Sequence, residues 1–385
     1  MTLPSRREAR SMRMRKFFEQ KNILFLIDGL SGGGAERVVL TLAQAMVEQG
    51  HEVTLLSLRK DCAYKIPEGV SYLLLEDLYH GRPLWRQTEI RRRARALDKR
   101  LKAYFAEKKI DLAISHLPKT DRIVAASSLL KEAWLCLHCA LSAGELDHQH
   151  QFRRWRKKHQ LFKTYNGRKL ITVSHALQND VRAIGIRPSM MRTIYNPIDL
   201  DHIESTVSEL CPHASERFLL HVGRFNHQKR HDRLFEAFQR SGYPGKLILL
   251  GSGKEEEKRK LQALAETMGL LHRIIFLGFL PHPYSYMRAA EALILSSDYE
   301  GLPNVLLEAL ACGTQVISTN CPFGPAEILQ GPLAKGLSDL DSASLAQAIN
   351  RVLEEPIPID ATMLEPFSIS VSVQRYLELI NLKNE

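Results

Sequence analysis

The segment that most constrains this chain runs from Ala292 to Thr319. It opens on a short apolar run, Ala292–Leu295, that suits a buried strand, and Ser296 to Gly301 turns out of it. Val305, Leu306, Ala309 and Leu310 then recur at helical spacing until Gly313. Pro303 suits a first helical residue, where its missing N–H needs no partner. Residues 315–318 begin another strand. A strand–turn–helix–strand unit of this kind belongs to a parallel sheet. Its ligand position is the crevice at the strand's carboxyl end, where the helix presents amides and the positive end of its dipole. Glu300 lies on the turn, and Glu308 lies about 8 Å further along the helix axis at 1.5 Å per residue. A diphosphate on the amides between Leu302 and Val305 would have a sugar on the Glu300 side and a ribose near Glu308.

The string Asp298-Tyr-Glu-Gly-Leu-Pro-Asn-Val-Leu-Leu-Glu-Ala-Leu-Ala-Cys-Gly313 resembles the Glu-x7-Glu signature of retaining glycosyltransferases with the GT-B fold, the GT4 family (glycosyltransferase group 1). The resemblance implies an α/β protein of two Rossmann-like domains facing a cleft, with a C-terminal helix crossing back to the first domain. It implies a nucleotide-sugar donor held against Gly301, Leu302, Pro303, Asn304, Val305 and Glu308, with Glu300 orienting the sugar hydroxyls.

Further motifs fall in family order. Residues 22–28 read as a strand, and Gly29 to Arg37 form a glycine-rich turn entering a helix striped by Val38, Val39, Leu42, Ala43 and Met46. The spacing is neither Gly-x-Gly-x-x-Gly nor a P-loop. It is similar to the family's first loop, which makes Gly33 and Gly34 donor-side residues. Further strands are expected over 53–58, 110–115, 133–137 and 170–173, with His116 and His138 near two of their ends. A histidine in such a place is ordinarily hydrogen-bonded core. The resemblance favours His138 as functional, with His116 the weaker candidate. In the second half, Gly223 to Asp232 follows a strand at 218–222. Arg224 and Lys229 flank that loop and are expected to converge on one anion, Arg through its fork and Lys as a point charge. This pair resembles the family's pyrophosphate-holding cations. Arg230 departs from the pattern, because many relatives have glycine after the lysine. Strands are also expected over 246–250 and 274–277, and Phe279 and Leu280 correspond to the nucleotide-base side. The stretch from Asn320 to Leu329 resembles a loop of enzymes using UDP-hexoses or UDP-N-acetylhexosamines.

At 385 residues the chain has room for two domains. The expected division is a basic disordered tail (1–20), an acceptor-side domain (21–197), a nucleotide-sugar domain (198–363) and a helix packing back (364–385). An apolar content of 44% with 25% charged residues fits a globular protein, and no apolar run is long enough to span a bilayer. Cys136-Leu-His-Cys139 lies in an apolar run without a second ligand pair, so reduced thiols in a reducing cytosol are expected rather than zinc. Asp199-Leu-Asp201 and Asp339-Leu-Asp341 read as helix caps rather than metal–diphosphate motifs. No metal and no cofactor are expected. Arg224, Lys229 and the helix amides would stabilise the leaving diphosphate.

The net charge of +10 is clustered over 86–102 and 148–179, the latter without a single acid. Ile90, Ala94, Leu97, Leu101 and Phe105 put the first cluster on an amphipathic helix. Phe152-Arg-Arg-Trp-Arg-Lys-Lys-His-Gln-Leu-Phe-Lys163 interleaves aromatics with cations, with Phe152, Trp155 and Phe162 suited to a headgroup region. Such patches attract anionic lipid or nucleic acid. The expected partners are a nucleotide-sugar, a lipid-linked or lipopolysaccharide-type glycan acceptor and an anionic membrane surface. The expected location is cytoplasmic, at the inner face of the plasma membrane. A sugar-nucleotide epimerase or glucan synthase of the same fold is an alternative. So is a basic nucleic-acid-binding protein, which would lack a recognised motif.

Overall fold

The computed structural model describes residues 19–61, 63–75, 86–146, 150–207 and 210–382. The expected basic tail, but for its last two residues, and Cys62 lie outside them. The chain forms two compact units. The first takes the described residues to Val173, then Leu177–Pro197 and the segment from Ile369, and the second takes Ser174–Ala176 and Ile198–Ser368.

The first unit is built on seven parallel strands, β1 (Asn22–Ile27), β2 (Glu52–Ser57), β3 (Ser71–Leu74), β4 (Leu112–His116), β5 (Trp134–Leu137), β6 (Lys169–Thr172) and β7 (Met190–Thr193). Their order is β3-β2-β1-β4-β5-β6-β7. Leu24 to Ile27 are wholly buried, as expected where helices cover both faces of a parallel sheet. The sequence reading expects neither β3 nor β7, although β3 lies on an apolar run, Tyr72–Leu75. They are the sheet's two edges and only partly buried. The helix Gly34–Glu48 buries the expected stripe of Val38, Val39, Leu42, Ala43 and Met46. The helix Ile369–Glu378 packs on it, placing the Tyr376 hydroxyl 3.8 Å from Cys136 Sγ.

The second unit holds six parallel strands, β8 (Phe218–Val222), β9 (Lys246–Leu250), β10 (Ile274–Gly278), β11 (Ala292–Leu295), β12 (Gln315–Thr319) and β13 (Leu337–Ser338), in the order β10-β9-β8-β11-β12-β13. β13 is too short to leave a periodic signal. Each sheet therefore reverses its strand order once, between β1 and β4 and between β8 and β11. Those are the topological switch points, where loops at the strands' carboxyl ends diverge and leave a crevice. Both capping aspartates are found. Asp199 accepts from the His202 amide at 2.9 Å and Asp341 from the Ser344 amide at 2.8 Å.

Candidate active site

At the second unit's switch point, the loops after β8 and β11 are sewn together. The Asp298 amide donates to the Gln228 carbonyl at 2.9 Å, the Gln228 side-chain amide to the Tyr299 carbonyl at 2.7 Å, and the Ser296 hydroxyl to the Lys229 carbonyl at 2.7 Å. Across this seam Lys229 Nζ lies 2.6 Å from Glu300 Oε1, which also accepts from the Ser297 hydroxyl at 2.6 Å. Both charged side chains are nearly buried, 13% and 11% exposed, so water screens the pair little. The ammonium is paired with the glutamate, whereas Arg224 is exposed and makes no ion pair among the described residues. The β8–β11 crossover neighbouring, invisible to local pattern, brings Lys229 to Glu300 first.

Arg230 explains its own departure from the glycine pattern. Its backbone is left-handed, φ 47° and ψ 55°, a conformation that costs a non-glycine residue about 1–2 kcal/mol. Its guanidinium offsets that cost, donating from Nε to Asp232 at 2.9 Å and from NH1 to Asp298 at 3.1 Å. Bonding first to Asp232 and then to Asp298 keeps Arg230 more firmly charged than a free arginine. Arg233, in the first turn of the helix His231–Arg240, joins the same anchor at 2.7 Å from Asp298 and 2.9 Å from the Ser296 carbonyl. Asp298, Arg230 and Arg233 are residues that the motif reading passes over as site-builders. The sequence signal is a cationic Lys229-Arg-His-Asp-Arg233 run facing an aspartate inside the signature. Beneath it, burial and then the charge on Lys229 push His231 down to about 4, and burial holds His221 well below the usual range. The layer under the ammonium is therefore neutral.

Gly301, Leu302 and Pro303 are buried, and Asn304 and Val305 are half-buried at the start of the helix Asn304–Ala311. Pro303 stands at the N-cap rather than as the first helical residue, with φ −76° and ψ 92°, and no side chain caps the helix. Its ψ is drawn out of the helical range, so the turn of hydrogen bonds starts one residue later. Glu308 is 7% exposed on the same helix. The loop after β12 closes on this entry. A Cβ on Gly324, whose φ is 108°, would meet both the Gly301 carbonyl oxygen and Pro303 Cδ at 2.7 Å. Likewise a Cβ on Gly251, after β9, would meet the Gly223 carbonyl oxygen at 1.8 Å. Four carboxyl-end loops thus converge with backbone in contact. Phe279 is 44% exposed and Leu280 half-buried, both just beyond the edge strand β10.

In the first unit Gly33 is the N-cap of the helix Gly34–Glu48, buried, while Gly34 is exposed. His116 ends β4 and His138 follows β5. Their Nδ1 and Nε2 atoms are 2.8 Å apart. With Cys136 Sγ they form a cluster of ligand-type atoms within 4.8 Å of one another. Two nitrogens on one tetrahedral zinc would lie roughly 3.3 Å apart given bonds of about 2.0–2.1 Å, so the 2.8 Å separation is that of a shared proton. Burial pushes Cys136 far above, and His138 down to about 4. Five described cysteines are free thiols.

The basic helix Gln151–Tyr165 exposes Phe152 and Trp155, 69% and 65%, with Trp155 stacked between Phe152 and His159. Phe162 does not join them. It is partly buried against the hydrophobic core, with Lys158 over its ring at 5.6 Å. The helix's one buried stripe of Leu161, Thr164 and Tyr165 turns position 162 toward the core. On the helix Arg86–Tyr104, Ala94, Leu97 and Leu101 are buried and Arg91, Arg95, Lys99 and Arg100 exposed. Among the described residues no helix is long and apolar enough to cross a membrane.

Two family models divide the chain. Residues 32–202 match Glycosyltransferase Family 4 and residues 210–365 match glycosyl transferases group 1. The chain is a GT-B glycosyltransferase. It is 27% identical over 333 residues to the N-acetylgalactosamine-N,N'-diacetylbacillosaminyl-diphospho-undecaprenol 4-alpha-N-acetylgalactosaminyltransferase of Campylobacter jejuni, covering 86% of this chain and 89% of that one. It is 27% identical over 235 residues to the lipopolysaccharide 1,6-galactosyltransferase of Salmonella typhimurium, covering 59% and 62%. Among solved structures, HepE of Anabaena in complex with UDP and glucose superposes with a TM-score of 0.73 at 20% identity, over 94% of this chain and all of that one.

Proposed function

We propose that this glycosyltransferase moves a hexose or N-acetylhexosamine from a UDP-sugar to a lipid-linked or cell-envelope glycan, with retention at the anomeric carbon and no divalent metal. The observation that carries the reading is the Lys229–Glu300 pair, nearly buried at a switch point beside an uncapped helix start. A sugar nucleotide needs this set of groups. The diphosphate takes Lys229, Arg224 and the amides of the 301–305 turn, Glu300 turns to the sugar hydroxyls, and Glu308 takes the ribose. As the bond from the anomeric carbon to the diphosphate oxygen breaks, the electron pair leaves with the diphosphate and meets charge already in place. The acceptor oxygen enters on the same face, and its proton passes to a departing phosphate oxygen.

Two relatives of stated activity act on an undecaprenyl diphosphate-linked glycan and on lipopolysaccharide, which supports an envelope acceptor. The UDP complex of the Anabaena neighbour supports uridine. The exposed Phe152–Trp155 pair among cations supports seating at an anionic cytoplasmic membrane face. A panel of UDP, GDP and their sugars read by melting temperature is expected to single out UDP compounds. Labelled UDP-sugar should then be transferred to a lipid-linked glycan, and Arg224→Ala and Glu300→Ala should each slow that transfer by orders of magnitude without lowering the yield of folded protein. Near-wild-type rates in either variant, or an epimerised UDP-sugar formed without acceptor, would contradict the assignment.

A further inference from the structure

The loop from Ser296 to Pro303 carries two carboxylates, Asp298 and Glu300. Three cations meet them from the loop after β8 and the start of the helix that follows, Lys229, Arg230 and Arg233. All five side chains belong to the second unit. The cations are divided between the carboxylates without overlap. Glu300 pairs with Lys229, and both of its bonds, from Lys229 and from the Ser297 hydroxyl, fall on Oε1. Glu300 is 8% exposed, and its Oε2 has no hydrogen-bond partner among the described residues. Asp298 takes both arginines. Arg230 NH1 lies 3.1 Å from each Asp298 oxygen, and Arg233 NH2 lies 2.7 Å from Oδ1. The other arms of these guanidinium groups are engaged as well. Arg230 donates from Nε and NH2 to Asp232 at 2.9 and 2.8 Å, and Arg233 donates from NH1 to the Ser296 carbonyl at 2.9 Å.

Arginine is the stronger competitor for a carboxylate, because its planar fork can grip both oxygens and its charge is never lost. Glu300 is the only other carboxylate on this loop, so without Asp298 its open Oε2 would attract the two guanidinium groups. An arginine seated there would hold Glu300 in an ion pair. A sugar hydroxyl, being neutral, would then have to displace a nearly buried charge. Lys229 is a different kind of partner. Its compact ammonium on a flexible stem can swing to a diphosphate and leave Glu300 behind, whereas each arginine is fixed at two or more points. We propose that Asp298 is a positioning residue that keeps Arg230 and Arg233 off Glu300, so that Oε2 stays open to a hydroxyl of the donor sugar. The inference rests on the reading of the chain as a sugar transferase. It gives the outer Arg230–Asp298–Arg233 contacts a task separate from the inner Lys229–Glu300 pair: the inner pair parts when substrate arrives, and the outer contacts persist.

Asp298→Asn in the full chain keeps the shape and one acceptor oxygen but removes the charge that holds the arginines. Transfer from a labelled UDP-sugar should fall about 10- to 100-fold. UDP, measured by titration calorimetry, should bind as tightly as to wild type or tighter, because a freed arginine on Glu300 loosens its hold on Lys229. Adding Arg230→Gly removes one freed guanidinium, and glycine accepts the φ of 47° without strain. The double variant should regain about tenfold in rate over Asp298→Asn, whereas a purely structural aspartate would give a further loss. Side-chain 15N NMR of the wild type needs no variant: on addition of UDP the Lys229 signal should move while those of Arg230 and Arg233 stay. The proposal is overturned by Asp298→Asn transferring at the wild-type rate, or by a loss of UDP affinity matching the loss of rate. A double variant no faster than the single one, or arginine signals that move with Lys229, would overturn it equally. A wild type that binds UDP but transfers sugar from no UDP-sugar would instead remove the transfer reading, and the positioning role with it. Wild-type transfer and the response of the variants are separate readouts, so the two failures are distinguishable.

Discussion

Replacing Glu300 by glutamine asks whether Lys229 is being held for a diphosphate. In the structure the ammonium lies 2.6 Å from the carboxylate, and both side chains are almost out of water. A diphosphate must take Lys229 from Glu300 and must also tolerate that negative charge beside it. A hydrogen bond to a charged group contributes about 1.5–3 kcal/mol, and the burial keeps the pair out of the near-zero range of exposed ones. Glutamine keeps the shape and still accepts from the Ser297 hydroxyl, but it gives up the charge. UDP should therefore bind Glu300→Gln about tenfold tighter or more, since 1.4 kcal/mol is a decade in Kd, while sugar transfer falls by orders of magnitude. The free variant should melt lower than wild type because Lys229 is left buried and unpaired, a loss of about 3–5 kcal/mol. That is roughly 6–20 °C for a unit of this size. UDP should then restore more than it adds to the wild type. Titration calorimetry with UDP at several salt concentrations measures the affinities. An unchanged or weaker UDP affinity in Glu300→Gln would refute the reasoning.

Other outcomes follow from separate parts of the molecule. Gly324→Ala should weaken UDP binding and lower the melting temperature, because its Cβ would meet the Gly301 carbonyl and Pro303 at 2.7 Å; Gly269→Ala, with nothing within 4 Å, serves as the control for the cost of positive φ alone. His138 and His231 are pushed down to about 4, so the unfolded chain binds more protons between about pH 4 and 6.5, and stability should rise with pH through that window. Asp121 has the opposite sign. Burial raises it to about 8, so its contribution is present at low pH and lost as pH climbs toward 8, and Asp121→Asn should flatten that loss in pH-dependent melting curves. Trp155→Ala paired with Phe152→Ala should leave the melting temperature unchanged, since both rings are exposed. It should reduce sedimentation with vesicles rich in anionic lipid, and equal binding by the pair variant would count against the membrane reading.

Much of the architecture was legible along the chain. The ten apolar runs expected as strands are all strands, because strands buried on both faces of a parallel sheet must be apolar almost throughout. The Glu-x7-Glu string located the helix and its turn because a proline, a glycine and a helical stripe punctuate it locally. The edge strand β7 and the two-residue β13 were not legible, since half-exposed or very short strands leave no period, and β3 was passed over although Tyr72–Leu75 is an apolar run. The site divides in the same way. Local pattern placed Lys229 and Glu300 on loops after their strands, but their 71-residue separation hid the salt bridge between them. It likewise hid Asp298 as the anchor for Arg230 and Arg233, and the proton between His116 and His138. The sequence by itself determined which segments are strands, which turns carry charge and which family the motifs belong to, because each of those is written in neighbouring residues. Only the tertiary structure decided which charges meet, because strand order brings β8 against β11 and β4 against β5. That order is set by the packing of whole helices on whole sheets and not by any short stretch of chain.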